Sequence, residues 1–330
     1  MVVHNISLAP SSPNPSSNTK HVLIFFISGN PGLIDYYEPF LSTLHTALDS
    51  SSSLEETNFH IYGQNLLGFS DDEHEPFTSH NKPYNLEQQI EYTLESLSDL
   101  RIQSGERQGE AYDNVLLIGH SVGSYIALEL SHRVLRNPSV APHLNLSSGI
   151  FLFPTIENIA SSPSGWRLNM LRQTPLLGDN AYRIAQGFLR LWPYSTLLAF
   201  MGSVLGFPPH AAEVTTKWLK SRDGVWQALH LGMDEMQVIG PDKWDEELWA
   251  IEREAKTQTK TQTPKFYFFF GRKDHWVADH VRDAFIAKRE KSARIMLDEG
   301  DLPHAFCIDH SKEVAEKVQG WIAEMYGSTA

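Results

Sequence analysis

The sequence predicts an α/β fold: a mostly parallel central sheet with helices on both faces, interrupted by a helical cap insertion. Three observations carry this. Nearly wholly apolar runs of strand length recur at His21–Ile27, Val115–Ile118, Ile150–Phe153 and Phe266–Phe270, as expected of strands buried on both faces. Apolar residues at helical spacing lie between such runs, most clearly Leu86, Ile90, Leu94, Leu97 and Leu100, the stripe of a helix laid on a sheet. The alternation then breaks between Thr155 and Lys260, where no comparable run occurs and six of the eight tryptophans fall. Alternating strands and helices imply crossover connections and a parallel sheet. The break implies an inserted unit.

Taken in order, residues 1–20 are expected to form a loose tail, because residues 8–19 are rich in Ser, Pro and Asn. The core then occupies residues 21–154 and 264–330. After the first strand, Ser28-Gly29-Asn30-Pro31-Gly32 is a strong turn signal leading into a helix over Tyr36–Leu48. Phe59–Tyr62 reads as the next strand, and Glu73–Asn85, with His74 and His80 among acidic residues, reads as a solvated loop rather than a metal site. Residues 155–263 form the cap, and Lys256–Thr263 is a low-complexity linker back to the core. Ala293–Leu297 is the last strand, and Ser311–Met325 the final helix.

Between Val115–Ile118 and the helical spacing that starts at Ser124 stands Gly119-His120-Ser121-Val122-Gly123, which fits G-x-S-x-G. In such an elbow the glycines let strand and helix approach closely, and the serine hydroxyl stands at the mouth of the sheet. A serine is a weak nucleophile until a histidine can take its proton, and that histidine needs an acid to fix its tautomer. Asp274, just past the strand Phe266–Phe270, and His304, in the loop between the last strand and last helix, complete the order Ser, Asp, His. His310 is the rival base, and Asp279, Asp283 and Glu157 are rival acids. His275 and His280 are expected at the surface. The main-chain N–H groups of Asn30 and Val122 are the candidate oxyanion donors. This chemistry needs no metal and no organic cofactor.

A chain of 330 residues with 41% hydrophobic content accommodates one large domain with an insertion. The formal charge of −13, without a basic run, excludes recognition of nucleic acid through its phosphates. Cys307 is the single cysteine, so no internal disulfide forms. The first twenty residues lack the charged and apolar regions of a signal peptide, which leads to the expectation of an intracellular protein. Leu191–Phe207 carries no charge, but Arg183, Arg190, Pro193 and Pro208 bracket or interrupt it. A spanning helix needs about 20 apolar residues. Two readings remain for this segment. Either it lies in one lipid leaflet through Leu191, Trp192, Leu197, Leu198, Phe200, Met201, Val204, Leu205 and Phe207, or it is a lid that roofs the substrate pocket.

Gly29-Asn30-Pro31-Gly32 with Tyr36, Tyr37 and Phe40 beyond it, the serine elbow, the Gly271–Asp274 turn with Trp276, and Leu302-Pro303-His304-Ala305-Phe306 together resemble the lipid droplet-associated hydrolase family. The resemblance runs from about residue 21 to 325, and the Gly-Asn-Pro-Gly and Pro-His-Ala-Phe elements are its specific parts. It implies an α/β-hydrolase fold and a serine esterase acting on cholesteryl or other neutral lipid esters. It also implies residence on lipid droplets and the cytosolic face of the endoplasmic reticulum, with the apolar part of the insertion as the targeting segment. Ser28 stands where the wider superfamily commonly has the His of a His-Gly pair, so the oxyanion loop needs other support.

Overall fold

A computed structural model describes residues 3–11, 19–174, 177–249 and 265–327. Among the described residues, seven strands form one sheet: β1 (Asn5–Leu8), β2 (Lys20–Ile27), β3 (Thr57–Gln64), β4 (Asn114–His120), β5 (Leu146–Leu152), β6 (Lys265–Phe270) and β7 (Arg294–Leu297). Their spatial order is β1-β3-β2-β4-β5-β6-β7, and every neighbouring pair is parallel except β1 with β3. The apolar runs form the centre of this sheet because Val22–Ile27 and Val115–Ile118 are buried on both faces.

Helices α1 (Glu38–Asp49), α2 (Leu86–Asp99) and α3 (Val122–Arg136) follow β2, β3 and β4, and α9 (Asp279–Arg289) and α10 (Ser311–Tyr326) flank β7. Asn85 caps α2 with its side chain on the Gln88 N–H, while the Gln88 side chain returns the bond to the Asn85 N–H, a reciprocal box that fixes where this helix starts. From β2 the chain moves outward to β3 and then back across to β4. The crevice beyond the ends of β2 and β4 is therefore where the strand order reverses, the place at which such sheets hold ligands.

The tail expected over residues 1–20 contains β1, an edge strand of four residues whose register runs from Asn5 opposite Gln64 to Leu8 opposite Ile61. The helix expected from Tyr36 starts as a 3-10 turn, Ile34–Tyr37, before α1.

Between β5 and β6 lie α4 (Pro163–Gln173), α5 (Leu177–Arg190), α6 (Tyr194–Ser203), α7 (Pro209–Lys220) and α8 (Gly224–Val238). The insertion is helical, and none of the described helices is long and apolar enough to cross a membrane. Its return differs from expectation. Trp244 and Trp249 are buried in the main core, where Trp249 packs on Phe266, Phe268 and Phe285 and the guanidinium of the buried Arg289 lies over its ring. The chain is thus back in the sheet domain well before residue 264. The linker Lys256–Thr263 lies outside the described residues.

Candidate active site

β4 ends at His120, and α3 begins at Val122, so one residue must make the turn. That residue is Ser121, held at φ 54°, ψ −124°, on the side of φ that non-glycine residues avoid. Gly123 makes this packing possible: a Cβ there would stand 2.3 Å from the carbonyl oxygen of Ile27 in β2. The loop after β2 runs directly over the elbow, since a Cβ on Gly29 would come within 3.1 Å of Ser121 Cβ.

Three loops at the same end of the sheet bring the polar groups together. Ser121 follows β4, Asp274 follows β6 and His304 follows β7. His304 Nε2 lies 2.9 Å from Ser121 Oγ, and His304 Nδ1 lies 2.7 Å from Asp274 Oδ2. Because a carboxylate only accepts, the Nδ1 proton belongs on the Asp274 side, which leaves Nε2 to accept from the serine hydroxyl. Asp274 Oδ1 accepts the Trp276 N–H at 2.8 Å. Burial pushes the Asp274 carboxyl up, but the adjacent His304 and the Trp276 N–H outweigh it and leave the group below its ordinary value. All three side chains are buried.

The rivals are elsewhere. Asp279 and Asp283 pair with Arg282 on α9. Glu157 lines a small apolar recess with Phe270, Val277 and Phe285, and burial pushes its carboxyl up. His310 stands at the start of α10, without a capping hydrogen bond from its side chain. His275 is exposed, as expected, and bonds Ser164 Oγ through Nδ1. Val122 is the first residue of α3, where a helix has no internal acceptor for its N–H.

Sequence reasoning missed a second layer. The Gly29 N–H donates to Tyr37 Oη at 3.0 Å, the Tyr37 hydroxyl donates to His120 Nδ1 at 2.7 Å, and the His120 Nε2–H donates to the His304 carbonyl at 2.8 Å. Burial, with His304 beside it, pushes His120 down to about 3, so its ring is neutral. The cap also grips the β2 loop. Tyr36 Oη meets Thr215 Oγ1 of α7 at 2.8 Å, and the His210 ring donates to the Asp35 carbonyl at 2.7 Å.

The apolar segment of the insertion divides. Leu191, Val204 and Leu205 are exposed, and Trp192, Leu198, Phe200 and Phe207 are half-buried. Leu197 and Met201 are instead buried with Ala212 of α7, which corrects their placement on a contact surface. The spacing of Leu197 and Met201 turns them to the inner side of α6. The exposed apolar surface extends over residues not anticipated from sequence: Trp166 and Met170 on α4, Ile184 and Phe188 on α5, and Tyr194.

Asp71, His74 and Asp223 bring potential metal-ligating atoms together. Their carboxylates already accept from the N–H groups of Phe77, Arg222 and Asp223 and from the Arg222 guanidinium, so the cluster ties the loop after β3 to the start of α8.

The sheet and its insertion match solved α/β-hydrolases. The peroxisomal α/β-hydrolase Lpx1 of Saccharomyces cerevisiae aligns over 99% of this chain and 89% of its own with a TM-score of 0.61 at 12% identity. The haloalkane dehalogenase DbeA of Bradyrhizobium elkani aligns over 97% and 98% with a TM-score of 0.57 at 16% identity, so the likeness is one of fold. In sequence, the "Lipid droplet-associated hydrolase" of Rattus norvegicus is 30% identical over 312 residues, covering 93% of this chain and 86% of its own. That of Gallus gallus is 27% identical over 319 residues, covering 95% and 88%. The family profile described as lipid-droplet associated hydrolase matches residues 20–307, and the chain belongs to that family.

Proposed function

We propose that this hydrolase cleaves carboxylic esters, with neutral lipid esters such as cholesteryl esters or acylglycerols as the substrate class. The observation that carries the reading is His304, whose two ring nitrogens face Asp274 and Ser121 at hydrogen-bonding distance. His304, oriented by Asp274, takes the Ser121 proton as Oγ attacks the ester carbonyl. The N–H groups of Asn30 and Val122 hold the oxyanion, the alcohol leaves with the proton from His304, and an acyl ester remains on Ser121. Water activated by the same imidazole then releases the acid. Lipid droplets and the cytosolic face of the endoplasmic reticulum are the proposed location. The exposed apolar side chains of Trp166, Ile184, Phe188, Leu191, Val204 and Leu205, all on the insertion, support contact with such a surface.

The test is fatty acid release by the purified protein from a short-chain nitrophenyl ester, a triglyceride emulsion and a cholesteryl ester emulsion, beside Ser121→Ala. Serine-dependent release from an emulsion is the expected result and names the ester. Release from the short ester alone would mark a soluble esterase. Equal rates for parent and Ser121→Ala would remove the esterase reading and leave a second one, a lipid-surface protein that tethers or organises droplets through its exposed apolar side chains.

A further inference from the structure

Asn30 supplies a candidate oxyanion donor from its main chain, and its side chain is held by the cap. Both amide protons are taken by α8: one donates to the Ala228 carbonyl at 3.0 Å, the other to Glu235 Oε1 at 3.1 Å. Ala228 and Glu235 stand about two turns apart, hence on one face of the helix. The two acceptors fix the amide in two directions at once.

Glu235 is an expensive residue for the fold at this place. It is 4% exposed, and a buried carboxyl gives up solvation that an apolar side chain of similar size never had. Burial pushes its carboxyl up to about 8, with the Asp234 charge on the same helix acting in the same direction and the Asn30 amide opposing it. At neutral pH it is therefore an uncharged acid whose Oε1 accepts from the oxyanion loop. Core packing gives no reason for a carboxyl there; the contact with Asn30 does.

We propose that Glu235 is a positioning residue which, through the Asn30 side chain, sets the direction of the Asn30 main-chain N–H at Ser121, so that the cap completes the oxyanion hole. This rests on Ser121 being the nucleophile. Lacking the superfamily's usual histidine at Ser28, the β2 loop takes its support from the insertion: Glu235 and Ala228 on α8, and Thr215 and His210 on α7.

The experiment compares Glu235→Leu, Glu235→Gln and Asn30→Ala with the parent on a soluble nitrophenyl ester. Glu235→Leu is expected to lower kcat by about 10- to 100-fold, the range for misdirected oxyanion donors and small misplacements. Its KM should change by less than about threefold, and its thermal midpoint should be no lower than the parent's. Glu235→Gln keeps an oxygen within reach of Asn30 Nδ2 and should recover kcat to within about threefold, since the acceptor and not the charge is what acts. Asn30→Ala should lose as much as Glu235→Leu, and the double variant no more than either. If Glu235→Leu does not fold, Glu235→Met takes its place in the same comparison. An unchanged kcat in the apolar variant, or fully additive losses in the double variant, overturns the proposal. Hydrogen exchange at the amides of residues 29–33 separates this outcome from failure of the esterase reading. Faster exchange in Glu235→Leu, with a parent that a fluorophosphonate never labels, upholds the latch and rejects Ser121 as nucleophile. A labelled, active parent whose variant keeps its kcat and exchange rejects the latch alone.

Discussion

His120 donates its Nε2 proton to the main-chain carbonyl of His304 at 2.8 Å, so the residue before the serine grips the residue that faces it. The bond is directional. A carbonyl only accepts, so His120 must carry its proton on Nε2, which leaves Nδ1 to accept from Tyr37, whose oxygen accepts from Gly29. One chain of hydrogen bonds thereby links the β2 loop, the elbow and the His304 loop. Tyr37→Phe breaks it in the middle, leaving a buried N–H and a buried ring nitrogen without partners, at a cost of about 1–3 kcal/mol for each. The expected outcome is a lower midpoint in chemical denaturation and a rate of fluorophosphonate labelling reduced about tenfold or more. Parent-like labelling in a folded Tyr37→Phe protein would show that the chain does not position the site.

Asp274→Asn tests the acid. Asp274 Oδ1 accepts the Trp276 N–H, so an asparagine keeps its oxygen there and turns its NH2 toward His304 Nδ1. That donor forces the imidazole proton onto Nε2, where it can no longer accept from Ser121. A fall in kcat of about 10³- to 10⁴-fold is expected, the size seen when this tautomer is reversed in serine hydrolases. A fall of less than about tenfold would remove Asp274 from the role.

The fold was legible where burial is two-sided. Val22–Ile27, Val115–Ile118 and Phe266–Phe270 are continuous apolar runs because helices cover both faces of the sheet. β1 was not, because an edge strand of four residues with one buried side chain carries almost no pattern. Trp244 and Trp249 were assigned to the cap because irregular chain has no period to show that it packs on β6. The candidate Ser, Asp and His could be named from chain order and from the loops that carry them. The Tyr37–His120 and Asn30–Glu235 contacts join residues far apart in sequence, which no local pattern reveals. At α5 a signal was present: Ile184 and Phe188 recur at helical spacing, Leu191 follows just past the helix end, and all three are exposed.

Those side chains give the third prediction. Ile184→Glu with Phe188→Glu places charge on exposed positions, so the thermal midpoint should stay within about 2 °C. Binding to emulsions or to vesicles carrying neutral lipid should fall about tenfold or more, because each loss of a buried large apolar side chain is worth about 1.5–3 kcal/mol. Leu197→Ala and Met201→Ala should do the reverse, lowering stability by about 2–5 kcal/mol as cavity-forming changes while leaving the lipid-facing surface in place. Flotation with lipid and thermal unfolding, measured on the same four-substitution set, decide it. Equal flotation of the Ile184→Glu, Phe188→Glu protein and its parent would mean that lipid contact lies elsewhere.

The last prediction concerns pH and stability. Glu235 in the folded chain holds its proton up to about pH 8, whereas the unfolded carboxyl releases it near 4.5. Between these values the folded state binds more protons than the unfolded one, so stability falls as pH rises through this window and the loss levels off above it. Each unit of difference corresponds to about 1.4 kcal/mol, so the contribution is on the order of a few kcal/mol by pH 8. His120 and Asp274 act with the opposite sign and lower down. Burial, then His304, pushes His120 to about 3, and His304 outweighs burial to depress Asp274, so their stabilisation is lost as pH falls below the ordinary ranges of these groups. Glu235→Gln has no proton to lose. Its melting temperature relative to the parent should therefore increase steadily between pH 5 and pH 8 and stay constant below pH 4.5. Calorimetry of both proteins across that range is the measurement, and parallel curves would show that Glu235 titrates in the fold as it does in water.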